Sequence, residues 1–570
     1  NPFLYRDPNN PGALPQVVLP NGGIYKLTQN NLESYYLRNA LEYNKTLKDA
    51  DMQDVHAFKV FLGQEFRYTD RDNQYFEGYG YQFSRGGVVF TDPRIIEKVI
   101  ADNAQYFDRS TGRERGVAFF SQASYGFRNR YILSGTLNYE GSNQLGRSRK
   151  ARWLPTWNIS GRWNVTNEHF LPTTHALSNL SFRLSYGLIA GLNNIGNALP
   201  IMVSTITPRF RNQDNERLIR ILSLQNSDLT WEKVYETNFG TDIGFLSNAI
   251  SLSVDLYQKN SKDLLDIVRT SGMGGELNKY ANDASMTTRG VELVLDTRNF
   301  KTEDFTWSTS VNFAYFNQEI TSLANASNSV FNLVRETGGN VLGNPRNTLY
   351  SYDFAGLNSQ GMPLLNLKEG SRDYKDIDFQ DRDNILSYLK KEGAVDPNIT
   401  GGLSNTFRYK NWELNFLITM QAGNKIRKAP LYKGAGYDDL SVFPREFKNR
   451  WVAPGDEALT QIPGIVSQRT LNEENKAYIS RAYSAYNHST ARVVDGSFVR
   501  MKSISLSYTF DKEVLENLNL GNLTLRLQAS NPFLIYAHKD LNGQDPEFFR
   551  SGGVAYPITP QYTFTINLGI

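Results

Sequence analysis

The side chains best placed to bind a ligand are five aspartates grouped between residues 373 and 383. Carboxylates at alternate positions of a loop can supply oxygen ligands to Ca²⁺. The glycine that gives a calcium loop its sharp turn is absent, and Phe379 and Gln380 occupy that region. Exposed acidic loops are more commonly solvated. We therefore weigh a Ca²⁺ site that braces an outer loop against a merely solvated loop at Asp373, Asp376, Asp378, Asp381 and Asp383.

No residue pattern predicts covalent chemistry. The five histidines are scattered without a zinc-site spacing. The sequence contains no convincing phosphate-binding loop, dinucleotide fingerprint or nucleophile elbow. Cysteine is absent, which excludes a disulfide scaffold, a thiolate metal site and a cysteine nucleophile. We predict that the protein is not an enzyme; a soluble carbohydrate-active enzyme is disfavoured because no carboxylate pair stands out.

Composition points to strands rather than membrane-spanning helices. The chain has 570 residues, 13% aromatic residues and 44 glycines, and its mean hydropathy is −0.47. It contains no apolar run of about 18 residues, the length that a transmembrane helix needs. A membrane barrel stays polar on average because only alternate side chains face lipid. The net charge of +3 gives no support for a nucleic-acid partner.

Period-two alternation, the pattern of a β-strand, recurs along the chain. Tyr131, Leu133, Leu137 and Tyr139 share one face, with polar residues between them. The same pattern predicts roughly fourteen to sixteen antiparallel strands. The clearest stretches are 56–69, 115–128, 131–140, 152–165, 179–188, 233–247, 250–256, 287–299, 304–318, 400–424, 498–510, 522–528 and 562–570.

Two features favour a transmembrane β-barrel over a large soluble β-sandwich, the alternative that alternation leaves open. Aromatic residues bracket apolar faces, as Trp307 and Tyr315 do, and this is typical of the girdles of membrane barrels. Connections are also asymmetric. The link 245–249 is short, whereas long irregular stretches cover 189–232, 320–398 and 425–492. Outer-membrane barrels have short periplasmic turns and long extracellular loops.

An ordered set of short segments then identifies a family. It comprises 226–233 (NSDLTWEK), 237–245 with 252–257, 288–293 with 305–308, 401–407 with 409–414, 449–451 with 454–457, 496–500, and 531–533 with 545–547. In order and spacing these segments resemble the SusC/RagA family of TonB-linked outer-membrane transporters. We also expect Gly496, Gly521 and Asn531-Pro532 to be turn residues. Trp412 and Trp451 are expected to be girdle or loop-packing residues.

The resemblance implies an all-β fold, a transmembrane antiparallel barrel of about 22 strands with a plugged lumen. The family's N-terminal regulatory-like domain, TonB box and plug have no counterpart here. We therefore expect residues 1–570 to be the barrel portion of a longer protein.

The resemblance also implies active import of oligosaccharides or oligopeptides across the outer membrane of a Gram-negative, Bacteroidetes-type bacterium. Its expected partners are a SusD-like surface lipoprotein that acts as a lid, TonB–ExbB–ExbD acting on the plug, and outer-membrane lipid. A dimer of SusC–SusD pairs is a further option. Two alternatives stay open, a passive porin and a SusC-like barrel that serves as a structural platform for an envelope complex. No cofactor is implied apart from Ca²⁺ in the acidic loop.

Aromatic loop residues are the candidates for contact with the cargo. Tyrosine offers a flat face to a sugar ring and a hydroxyl for hydrogen bonds. The alternative for each residue is packing within the loops themselves. The candidates are Tyr432, Tyr437, Phe443, Tyr478, Tyr483 and Tyr486.

Overall fold

The computed structural model is dominated by one antiparallel sheet of 15 strands. It describes residues 4–569 apart from 8, 11, 50–53, 88–93, 96–97, 100–105, 145–151, 172–175, 192–200, 209–214, 224–228, 270–277, 324–329, 368–369, 378–383, 433–442, 467–475, 517–519 and 548–558. The predicted all-β fold is confirmed, and the 15 strands of the large sheet in the described residues lie within the predicted fourteen to sixteen.

The strands of the large sheet follow one another as neighbours in chain order. They are β3 (Gly23–Lys48), β4 (Asp54–Tyr81), β5 (Phe107–Phe127), β6 (Tyr131–Ser142), β7 (Trp153–Asn164), β8 (Leu177–Gly191), β11 (Glu232–Phe245), β12 (Ile250–Arg269), β13 (Asn278–Lys301), β14 (Phe305–Leu323), β19 (Ile399–Tyr409), β20 (Trp412–Ala422), β23 (Phe498–Thr509), β24 (Asn522–Ala537) and β25 (Gln561–Gly569).

The remaining strands form small two-stranded sheets in the connections. They are β1 (Leu4–Tyr5), β2 (Gln16–Val17), β9 (Ile201–Pro208), β10 (Asn215–Ser223), β15 (Thr348–Tyr352), β16 (Phe354–Leu357), β17 (Pro363–Leu365), β18 (Leu389–Ala394), β21 (Lys425–Arg427) and β22 (Val493–Asp495). The described α-helices are α1 (Val330–Leu333), α2 (Lys476–Asn487) and α3 (Lys512–Glu516). None of these helices is long and apolar enough to cross a membrane.

The two ends of the large sheet differ in their connections. At the short-turn end, where β5 meets β6 and β11 meets β12, tight links join the strands. The predicted link between Phe245 and Ile250 is one of them. Its residues Leu246, Ser247 and Asn248 have φ angles of 52°, 56° and 59°, the left-handed region that a tight reversal uses. At the opposite, long-loop end, the connections after β14 and β20 are the long insertions that the sequence predicts.

One face of the sheet is apolar and exposed. Leu133 and Leu137 on β6 are 59% and 50% exposed, and Leu256 on β12 is 50% exposed. Successive residues of a strand point to opposite faces. Thus Leu184 lies on the exposed apolar face, whereas the preceding Arg183 lies on the other, where it pairs with Asp255. Large apolar side chains directed outward are what a lipid-facing wall requires.

Aromatic side chains collect at the short-turn end of this apolar face. Tyr131 begins β6, Tyr409 ends β19 and Trp412 begins β20, and all three are exposed. The ring of Trp412 lies 4.8 Å from that of Tyr508 on the neighbouring strand. Trp307 Nε1 donates to Asn405 Oδ1 at 2.8 Å, so its polar edge is satisfied. Rings with an apolar body and a polar edge suit the membrane interface, and Trp412 therefore has the predicted girdle position.

Three details differ from the sequence predictions. The long strand β3 is not among the predicted strands, because polar residues, Gln29, Asn31, Glu33 and Asn39, interrupt its apolar face. The stretch 400–424 is two strands, separated by a turn in which Lys410 has a φ of 49°. Asn531-Pro532 is no turn but lies inside β24. There Asn531 has a φ of 50°, and the pairing register with β23 shifts, as at a β-bulge.

Candidate functional site

The insertions after β14 and β20 fold together at the long-loop end. We call their described residues between 330 and 398 and between 423 and 497 the loop lobe. Contacts between the insertions include the bridge between Tyr352 and Ser489 and the contact of Phe354 with Tyr486, whose ring centroids lie 5.4 Å apart. Buried apolar residues from both insertions share one cluster, in which Ala485 of α2 meets residues of α1, β15 and β17. The lobe is therefore one folded unit.

Buried arginines hold the loop lobe together. Arg427 donates to Tyr350 O at 2.7 Å, to Ser351 Oγ at 2.9 Å and to Ser489 O at 3.2 Å, which joins three segments. Burial lowers the pKa of the Arg427 guanidinium to about 10, because its charged form is desolvated. It therefore stays protonated at neutral pH.

A second buried arginine pairs with a carboxylate. Arg492 Nη1 lies 2.7 Å from Glu446 Oε1, and Lys428 Nζ lies 2.8 Å from Glu446 Oε2. Burial by itself would raise the pKa of Glu446. Attraction to Arg492 and hydrogen bonds from Lys428 and Arg492 outweigh it, so this pKa lies below its usual value. Glu446 is consequently ionised at neutral pH.

A third ionic contact ties the sheet to the last connection. Arg500 on β23 pairs with Asp545, and both side chains are 2% exposed. Its Nε lies 3.0 Å from Glu547, which also meets Lys502 at 3.3 Å. The sequence segments 496–500 and 545–547, which support the family resemblance separately, thus meet in one ionic cluster.

The tyrosine candidates lie mainly inside the loop lobe. Tyr432, Tyr483 and Tyr486 belong to one buried cluster, in contact with Phe443. The Tyr432 hydroxyl donates to Pro463 O, and that of Tyr483 donates to Gly464 O at 2.7 Å. Burial raises the pKa of Tyr486 to about 12. The burial of these tyrosines agrees with packing within the loops, the alternative interpretation. Their contact with the cargo stays a prediction. Tyr437 lies outside the described residues.

The acidic loop is described only in part. Asp378, Asp381 and Asp383 lie outside the described residues. Asp373 accepts a hydrogen bond from the Tyr478 hydroxyl, and Asp376 accepts one from Ser371. Lys375 Nζ lies 4.1 Å from the centroid of the Tyr478 ring. Among the residues that the structure does describe, no three carboxylate or imidazole groups form a metal site, so the calcium site stays a prediction.

The inner, polar face of the sheet carries an ion ladder that the sequence analysis missed. Arg162 lies 2.5 Å from Asp242, and Arg183 lies 3.2 Å from Asp242 and 3.1 Å from Asp255. The hydroxyl of Ser253 donates to Asp242 at 2.8 Å. These residues come from β7, β8, β11 and β12, so the ladder joins four adjacent strands. Charges at polar-face positions of neighbouring strands are the signal that could have predicted it.

Comparison with known protein families shows which family this chain belongs to. Residues 3–532 match the family model described as "TonB dependent receptor-like, beta-barrel". The chain belongs to this family. The receptor barrel accounts for the outward apolar face and for the asymmetric connections, and it places the protein in the bacterial outer membrane. The predicted localisation and fold are confirmed.

Among curated relatives, this receptor barrel is 25% identical over 551 residues to the TonB-dependent receptor SusC of Bacteroides thetaiotaomicron. It is also 25% identical over 610 residues to the TonB-dependent receptor P39 of Formosa agariphila. These alignments cover 93% and 97% of the chain but 50% and 54% of the relatives. The chain thus spans about half the length of the curated relatives that it matches.

Solved structures show the same fold. The chain aligns with the structure of the RagAB peptide transporter with a TM-score of 0.77 at 21% identity. The alignment covers 96% of this chain and 56% of the other. The solved structure shows the fold, and the family model together with the similarity to SusC confirms the predicted resemblance to the SusC/RagA family. The relatives are receptors and transporters, not enzymes, in agreement with the sequence analysis.

Proposed function

We propose that this receptor barrel is the wall of an importer that carries oligosaccharides or oligopeptides across the outer membrane. The family match over residues 3–532 is the observation that carries the proposal. The sheet supports it physically. Its apolar face suits lipid, and its polar face, with the Arg162–Asp242–Arg183–Asp255 ladder, suits a wet interior.

The proposed transport needs energy and a lid. We infer that TonB, with ExbB and ExbD, acts on a plug supplied by the rest of the receptor, and that a SusD-like surface lipoprotein covers the long-loop end. The loop lobe supports the second inference, because buried arginines and shared apolar clusters make it a firm rim on which a lid can close.

Uptake by the source bacterium tests this proposal. Deletion of the gene is expected to abolish growth on particular glycans or peptides as sole nutrient, and deletion of tonB is expected to abolish the same growth. The wild-type gene supplied on a plasmid is the control.

Two other outcomes would favour the alternatives. Uptake that persists without TonB would indicate a passive channel and overturn active import. An envelope-assembly defect with normal growth on every nutrient would instead indicate a structural platform.

A further inference from the structure

The outward face of the sheet changes from apolar to polar between two cross-strand rows of directly paired residues on β8, β11, β12, β13 and β14. The row nearer the short-turn end consists of Leu184, Phe239, Leu256, Val291 and Tyr315. The next outward-facing row towards the long-loop end consists of Tyr186, Thr237, Gln258, Arg289 and Asn317. Both rows face outward, because residues two apart on a strand point to the same side. The apolar face therefore ends between these rows.

This edge lies on the side of the outer leaflet. Outer-membrane barrels carry their long loops on the extracellular side, and the polar row lies towards the long-loop end of the sheet. A lipid of the outer leaflet that lies against Leu256 and Val291 would thus carry its headgroup at the level of Gln258 and Arg289. The headgroup region of the membrane meets the protein here.

A cavity opens on the outward face just beyond this edge. Its volume is about 320 Å³, at the lower end of the range of roughly 300–1,000 Å³ that is usual for ligand sites. Tyr235, Asn260 and Thr287 are direct pairing partners on three neighbouring strands and line it together with Tyr186 and Lys262. We call these five residues with the adjacent Arg289 the outer-face cavity.

A chain of hydrogen bonds fixes the arginine at the cavity. Arg289 Nε donates to Gln258 Oε1 at 3.0 Å, and Gln258 Nε2 donates to Asn260 Oδ1 at 3.3 Å. Thr287 Oγ1 donates to the same oxygen of Asn260 at 3.2 Å. The remaining N–H donors of the Arg289 guanidinium form no hydrogen bond with the residues that the structure describes. The guanidinium is therefore held in position with donors to spare.

The outer-face cavity has an excess of positive charge. Lys262 Nζ lies 5.7 Å from the centroid of the Tyr235 ring. Lys262 and Arg289 form no ion pair with any carboxylate in the described part of the chain. Glu319, the pairing partner of Thr287 on β14, can offset one of these two charges at most. The cavity thus offers an anion a net positive surface.

We propose that the outer-face cavity binds the phosphate-bearing headgroup of an outer-leaflet lipid. Arginine binds phosphate through several N–H donors, and lysine binds it as a point charge. Tyr186 and Tyr235 bring rings with polar hydroxyls to the boundary, the position that interfacial aromatic residues favour. The cavity is also continuous with the apolar face at Leu256. An occupant with acyl chains and a phosphate matches both surfaces, whereas a soluble anion matches one.

Native mass spectrometry of the complete receptor in detergent tests the cavity. The probe is diphosphoryl lipid A, and its dephosphorylated form is the neutral comparison. The receptor is expected to retain the phosphorylated lipid and to release the neutral one. Arg289→Gln and Lys262→Gln are each expected to lower the affinity by about fivefold, since each removes a charge-assisted hydrogen bond to phosphate.

The matched control is Arg113→Gln on β5. Arg113 also lies on the outward face towards the long-loop end, but its guanidinium is already paired with Asp70 at 2.8 Å. This variant is expected to retain the lipid as the wild type does. Thermal unfolding of all the variants in the same detergent checks that each is folded.

Four outcomes would overturn the proposal. They are equal retention of the phosphorylated and neutral lipids, unchanged affinity in folded Arg289→Gln and Lys262→Gln, an equal loss in Arg113→Gln, and stabilisation by inorganic phosphate without retention of lipid. The third would show that general positive charge, not this cavity, attracts the lipid. The fourth would assign the cavity to a soluble anion.

Discussion

At the scale of single residues, buried ions fix how the connections meet the sheet. Arg500 and Asp545 are both almost fully buried, and they join β23 to the connection that leads into β25. Removal of one partner from a buried pair leaves an uncompensated charge. The ionic cluster therefore fixes where this connection meets β23. The segments 496–500 and 545–547 supply its residues, which gives their resemblance to the family a structural reason.

We expect Asp545→Ala to loosen this connection. Removing one partner of a buried pair lowers the free energy of unfolding by about 3–5 kcal/mol. We expect the lower end of this range, because Glu547 still contacts Arg500 at 3.0 Å. Thermal unfolding of the receptor in detergent and limited proteolysis of residues 538–560 are the measurements. The exposed Asp540→Ala in the same connection is the control. Equal protease resistance of both variants would show that the pair does not hold the connection.

At the scale of elements, each strand separates lipid from the inner face by alternation. Leu256 on β12 lies on the exposed apolar face, whereas Ser310 on β14 lies on the inner face, at a similar distance from the short-turn end. Leu256→Arg is expected to lower the free energy of unfolding by about 2–4 kcal/mol, the effect of an arginine on the lipid face near the bilayer midplane. Ser310→Arg places its charge on the inner face, where it stays in water. Urea unfolding in lipid vesicles measures both. Equal stability of the two variants would mean that the apolar face does not contact lipid.

At the scale of the whole molecule, the edges of the sheet restrict how it closes. The edge strands β3 and β25 both run from the long-loop end to the short-turn end, because 15 strands alternate in direction. Pairing them directly would be parallel, whereas bacterial outer-membrane barrels are antiparallel with an even strand number. If the receptor closes as bacterial outer-membrane barrels do, we expect an odd number of further strands between β3 and β25.

Disulfide trapping tests this closure, since the chain has no cysteine. Cysteines at Leu523 and Leu568, direct partners on β24 and β25, are expected to cross-link in the complete receptor. Cysteines at Leu37 or Leu41 on β3 combined with Phe564 or Ile566 on β25 are expected to stay reduced. A disulfide between β3 and β25 would show that the edges meet directly.

The sequence by itself determined the alternation, the approximate strand number, the short and long ends and the family, because these depend on neighbouring residues and on local spacing. It could not predict β3, whose apolar face is interrupted at Gln29, Asn31, Glu33 and Asn39, or the bulge at Asn531. Only the tertiary structure decided that Tyr432, Tyr483 and Tyr486 are buried, and that Arg500 meets Asp545. The ion ladder also required it. Each of these depends on strand register or on contacts between distant segments, and local periodicity encodes neither.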